Sequence, residues 1–166
     1  MLEIHVIQGS ILEATVEAIV NAANSHGIMG GGVAGVIRRA AGPAVEQEAR
    51  SQAPIPIGEA VLTSGGATKY KGIIHAPTMP EPAMRIQTIN VGQATKAALR
   101  VADEHRFASI AMPGMGTGVG GVAHDEAAVQ MIREIRAFTA RSLRSVVLVD
   151  VDAEMVRAWK QQLGQP

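Results

Sequence analysis

Ala18-Ile19-Val20-Asn21-Ala22-Ala23-Asn24 runs without a charge through Ser25-His26-Gly27-Ile28-Met29 into Gly30-Gly31-Gly32-Val33-Ala34. The first part, Ala18 to Asn21, is short, apolar and β-branched at its centre, which suits a central strand buried on both faces. The triple glycine turns the chain, and from Val33 to Ala41 the pattern becomes helical until Gly42-Pro43 punctuates it. Strand, glycine turn and helix in that order make the repeating unit of a layered α/β domain.

The same unit recurs downstream. Ala108 to Met112 reads as a short strand, and Gly116-Thr117-Gly118-Val119-Gly120-Gly121 follows it. A helical stripe at Ala128, Met131, Ile132, Ile135 and Phe138 comes next. Between and around these units, Leu2 to Ile7 alternates as a half-buried strand, and Pro43 opens a second helix through Gln52. Glu59–Ser64 and Lys71–Ala76 read as strands joined through Gly65-Gly66, and a helix lies between Ile86 and Glu104. Ser145 to Val149 is a further strand, and Met155, Val156, Trp159 and Leu163 form the face of a C-terminal helix.

Composition bounds the function. The 166 residues fit one domain spanning 1–166, with an apolar fraction of 47% sufficient for a core. Lys+Arg and Asp+Glu both number 15, so no electrostatic footprint for extended nucleic acid exists. Only Tyr70, Phe107, Phe138 and Trp159 are aromatic, too few for a base-stacking platform. The absence of cysteine excludes disulfides, thiol catalysis and zinc–thiolate sites. No apolar run approaches the length of a membrane span, and a cytoplasmic location is expected.

Both glycine clusters sit at strand-to-helix junctions, where unpaired N–H groups and the helix dipole favour anions. Neither contains lysine, which excludes the nucleotide-hydrolase P-loop. Two such loops on neighbouring strands would clasp a diphosphate by backbone alone. Gly116–Gly121 also matches the dinucleotide fingerprint, so a nicotinamide-dinucleotide-binding oxidoreductase is the alternative. Its acidic partner, however, should lie about 20 residues on, whereas Asp150 lies 29 beyond Gly121.

Val20-Asn21-Ala22-Ala23-Asn24 followed by Gly30-Gly31-Gly32-Val33-Ala34 resembles the signature of the macro domain family. Gln8-Gly9-Ser10-Ile11, Ile74-His75-Ala76-Pro77 and Met112-Pro113 through Gly121 extend the resemblance over nearly the whole chain. It implies a three-layer α/β/α fold around a mixed, mostly parallel six-stranded sheet, and a crevice for ADP-ribose or an ADP-ribosylated protein with no cofactor or metal. Carried over by position, Asn24 would hydrogen-bond the distal ribose and is the one catalytic candidate. Gly31, Gly32 and Val33 would form one phosphate loop, and Gly116, Thr117, Gly118, Val119 and Gly120 the other. Ser10, Ile11, Asp150 and Val151 would lie at the adenine end. The sequence leaves the oligomeric state open.

Four departures bear on activity. The resemblance implies aspartate at the position of Ser10 in many relatives, often an aromatic at that of Gly120 and in some one at that of Val151, which implies weaker affinity here. A hydrolytic branch of the family has aspartate at the position of Ala34, so any hydrolysis of ADP-ribosyl esters is expected to be slow. Among other candidates, His26 could serve as a proton shuttle, though a loop histidine without a named partner reads first as solvated. His75 would end a strand, and the Asp150–Asp152 pair would form a strand-end turn. Met112 and Met115 would be packing residues, and Arg133, Arg136, Arg141 and Arg144 a solvated face.

Overall fold

The strand Ala18–Asn24 (β2) is buried along almost its whole length, as its uncharged, β-branched sequence requires. A computed structural model describes residues 1–166 and places it inside a six-stranded sheet. The other strands are β1 (Glu3–Gln8), β3 (Val61–Thr63), β4 (Gly72–Met79), β5 (Ser109–Met112) and β6 (Ser145–Asp150). Their spatial order is β1-β6-β5-β2-β4-β3, and every pairing is parallel except β3 with β4. The helices are α1 (Gly32–Ala41), α2 (Pro43–Ser51), α3 (Thr88–Glu104), α4 (His124–Ala137) and α5 (Ala153–Gln162). None is long and apolar enough to cross a membrane.

The sheet divides two apolar cores. On one face, residues of α3, α4 and α5 pack with Val20, Ile74, Ile110, Val146 and Leu148, and Trp159 is fully buried among them. On the other, Ala34, Ile37 and Ala41 of α1 and Val45 of α2 meet Ile19, Ile73, Ala111 and Val149. Alternate residues of each central strand thus serve opposite faces, giving three layers.

Three strands differ clearly from the pattern predicted by sequence, β2 by running past Asn21 to Asn24. β3 is only Val61–Thr63, an antiparallel edge strand rather than the Glu59–Ser64 run. β4 continues past Ala76, through Pro77, to Met79. Proline is tolerated there because β3 ends opposite His75, so no ladder bond from Pro77 to β3 is lost. His75 accordingly lies within β4 rather than at its end. It is fully buried and bonded to Asn21 (3.1 Å) and Thr63 (2.9 Å).

Candidate functional site

β2 and β5 are neighbours, yet the helices that follow them leave on opposite faces. Residues of α1 pack into one core and residues of α4 into the other. A parallel sheet opens a crevice at the carboxyl ends of its strands where successive crossovers diverge in this way. Here it measures about 800 Å³ and is walled by the ends of β2, β4 and β6, the turn after β1, and both glycine loops. All thirteen candidate residues line it: Ser10, Ile11, Asn24, Gly31, Gly32, Val33, Gly116, Thr117, Gly118, Val119, Gly120, Asp150 and Val151. The sheet order is not the 3-2-1-4-5-6 of a dinucleotide-binding fold.

The first loop is anchored below and open above. Asn24 directs its side chain into this loop. Its Oδ1 accepts from His26 N (3.0 Å) and Ile28 N (3.2 Å), while Nδ2 donates to Ile28 O (2.8 Å). A one-residue register shift between β2 and β4 at Ala23/Asn24 re-aims the strand end at this point. Met29 is buried, with its N–H donated to Glu46 Oε2 at 2.7 Å. Beyond this anchor, a Cβ at Gly30, Gly31 or Gly32 would meet nothing within 4 Å. Gly31 caps α1 without a side-chain bond, and the N–H groups of residues 30–34, all of which line the crevice, have no protein acceptor.

The second loop is closed at its base. Gly116 O accepts from Val122 N (3.1 Å), and Gly118 O from Gly121 N (3.1 Å). The N–H groups of Thr117, Gly118, Val119 and Gly120 have no protein acceptor. Met115 and Met112, fully buried, anchor the loop from beneath. Gly116 has φ +77, and a Cβ there would lie 2.8 Å from Ile86 Cδ1. At Gly120 a Cβ would lie 2.6 Å from Gly116 O, and Ile86 packs against the same point. The place that the aromatic of relatives would take is thus filled by Ile86 and the loop's own backbone.

Side chains at the other end are committed to shaping the wall. Ser10 caps a short 3-10 turn (Ile11–Glu13), its hydroxyl accepting from Leu12 N at 3.2 Å. Either serine or aspartate meets that capping need. The Asp150 carboxylate accepts from Gly114 N and Asp152 N, each at 3.0 Å. Asp152 caps α5 through Glu154 N (2.9 Å) and binds His124 Nε2 at 2.7 Å. Those two contacts, the Glu154 amide first, hold its carboxyl below the usual carboxylate range. Val151 projects freely, 72% exposed.

The segment 80–87 was not foreseen as part of the wall. Pro82 and Ala83 line the crevice, with Ala83 in a left-handed conformation (φ 61). Glu81 accepts a hydrogen bond from, or pairs with, His26 Nε2 at 2.8 Å, so His26 has a partner instead of solvent alone. At the far end Ile86 N donates to Gly120 O at 2.9 Å. The segment therefore spans from the first loop to the second. Its only sequence signal was Pro80-Glu81-Pro82, which marks an irregular connection without saying what it covers.

Comparison with known proteins agrees with this geometry. The family model described as Macro domain matches residues 20–131. A protein of Aquifex aeolicus is 55% identical over 98% of this chain and 99% of its own length. An O-acetyl-ADP-ribose deacetylase of Klebsiella pneumoniae is 36% identical over 96% of this chain and 95% of its own. Among solved structures, the Trypanosoma brucei macrodomain in complex with ADP-ribose superposes with TM-score 0.87 at 25% identity, covering 98% of this chain and 69% of that one. With strand order, crevice and family match in accord, the chain belongs to the macro domain family.

Proposed function

We propose that the chain binds ADP-ribose, free or attached to protein, in the crevice between the two glycine loops. The observation that carries this reading is the pair of facing loops whose main-chain N–H groups, at residues 30–34 and 117–120, lack acceptors within the protein. Such donors at the start of α1 and along a glycine turn match a diphosphate. Adenosine lies toward Ser10, Ile11, Asp150 and Val151. The distal ribose lies toward Asn24, whose Nδ2 keeps a second N–H after bonding Ile28 O. Relatives that are macrodomains have been solved with ADP-ribose, including that of Trypanosoma brucei, which supports the assignment.

Calorimetric titration with ADP-ribose tests the proposal, with an intact nicotinamide dinucleotide as comparison. Binding of ADP-ribose with a dissociation constant above micromolar is expected, because no aromatic stacks on the ligand. Preference for the dinucleotide, or no heat with either, overturns the reading.

Turnover is a secondary property of the same site. The crevice wall holds only two ionisable side chains, Asp150 and Asp152, both tied into structural bonds at the adenine end. Near the ribose stands Ala34, so no side chain there removes a proton from water. General acid–base help is worth about 10²–10⁴-fold, and esters of ADP-ribose are cleaved slowly without it. The resemblance to an O-acetyl-ADP-ribose deacetylase makes such esters the substrate class to assay.

A further inference from the structure

We propose that Arg85 supplies the cation that the crevice wall lacks, its guanidinium engaging the phosphate held on the second glycine loop. The inference rests on the ADP-ribose reading and deepens it. No lysine, arginine or histidine lines the crevice, while two carboxylates do. A diphosphate entering it therefore meets amide dipoles but no full positive charge.

Arg85 sits at the edge of that loop. Its Nη2, Nε and Cζ lie 3.0, 3.1 and 3.3 Å from the point where a Cβ on Gly121 would stand, so the guanidinium rests on this glycine. Gly121 has φ +74, and its lack of a side chain leaves room for the contact. The next residue ties the segment down, Ile86 N donating to Gly120 O at 2.9 Å. Like most of the chain's basic side chains, Arg85 is exposed and makes neither an ion pair nor a hydrogen bond within the protein, so its guanidinium is free to meet a ligand. The amides of the residues that precede Gly121, Thr117 to Gly120, are likewise unpaired. A planar fork of donors next to a row of free N–H groups matches phosphate oxygens in geometry as well as charge.

Arg85→Gln removes the charge but retains polarity and much of the length, and Arg85→Lys retains the charge. Calorimetry with ADP-ribose at low and high salt, with thermal melts to verify folding, separates the outcomes. A charge-assisted bond of this kind corresponds to roughly tenfold or more in affinity. The Gln variant is expected to lose about that factor and to show a flatter salt dependence, and the Lys variant to keep part of both. A Gln variant within twofold of the native protein at both salt concentrations overturns the proposal. So does an equal loss in both variants with the native salt dependence intact, which would mean that Arg85 only shapes the loop. Failure of the native protein to bind ADP-ribose at all would instead remove the functional reading beneath it.

Discussion

Val151 and Gly120 are the two positions where the family resemblance implies an aromatic in other members, and their surroundings predict opposite responses to introducing one. Val151 is open at the crevice rim, so Val151→Tyr adds a face for the base without displacing anything. Stacking on a base is typically worth ~1–3 kcal/mol, and the variant should bind ADP-ribose about tenfold tighter by calorimetry. Gly120→Phe, by contrast, drives a Cβ to 2.6 Å from Gly116 O. It should distort the loop and weaken binding in the same assay. His75 makes a different prediction. Burial, opposed by the Glu48 carboxylate, depresses its pKa from 6.5 to about 4. The unfolded chain therefore takes up this proton first as pH falls. The contribution is complete above pH 6.5, declines as pH drops toward 4, and then levels off. At about 1.4 kcal/mol per pH unit this is on the order of 3 kcal/mol. Denaturant melts between pH 7.5 and 4.5 should show that slope, and His75→Gln should flatten it.

At the scale of elements, the first turn of α1 concentrates both binding and reactivity. Ala34 stands in it without a side-chain cap nearby, so a carboxylate there would benefit from the helix dipole. Ala34→Asp is expected to raise ester hydrolysis at least tenfold over the native rate, followed as release of ADP-ribose, with Asn24→Ala as the inactive control. An unchanged rate would show that the missing aspartate is not what limits turnover. The helices and buried strands were legible in the sequence because apolar spacing alone specifies them. α1 and β2 differ from the predicted spans only at their ends. Pro77 hid the last three residues of β4, since a lone proline reads as a stop until its neighbouring strand is known to be short. The partner of His26 was hidden for a related reason. Glu81 is 55 positions away and reaches it only through the pairing of β2 with β4.

For the whole molecule, the crevice joins segments from both apolar cores, so a ligand that bridges them should stabilise the entire fold. At about 100 times its dissociation constant, such a ligand adds about 2.7 kcal/mol. For a chain of this size that corresponds to roughly 5–10 °C in melting temperature, measurable in a thermal scan with ADP-ribose. The fold class was legible because strands and helices alternate along the chain, and the part of the lining made by the two glycine loops was legible from the family resemblance. Less legible was how many polar side chains in the wall serve the wall itself, as Ser10, Asn24, Asp150 and Asp152 do. Only Gly114, bonded to Asp150, and His124, bonded to Asp152, are distant in sequence; the other partners lie within four residues, in loops whose path no periodicity specifies.

The free amides of the two loops carry one more consequence. Every residue except proline brings the same N–H, so descendants of this chain can exchange most loop side chains and keep their hold on the anion. What lineage change must preserve is the path of the backbone, and with it the few glycines that permit that path. Drift in sequence and loss of binding are therefore uncoupled here, until a substitution bends the chain itself.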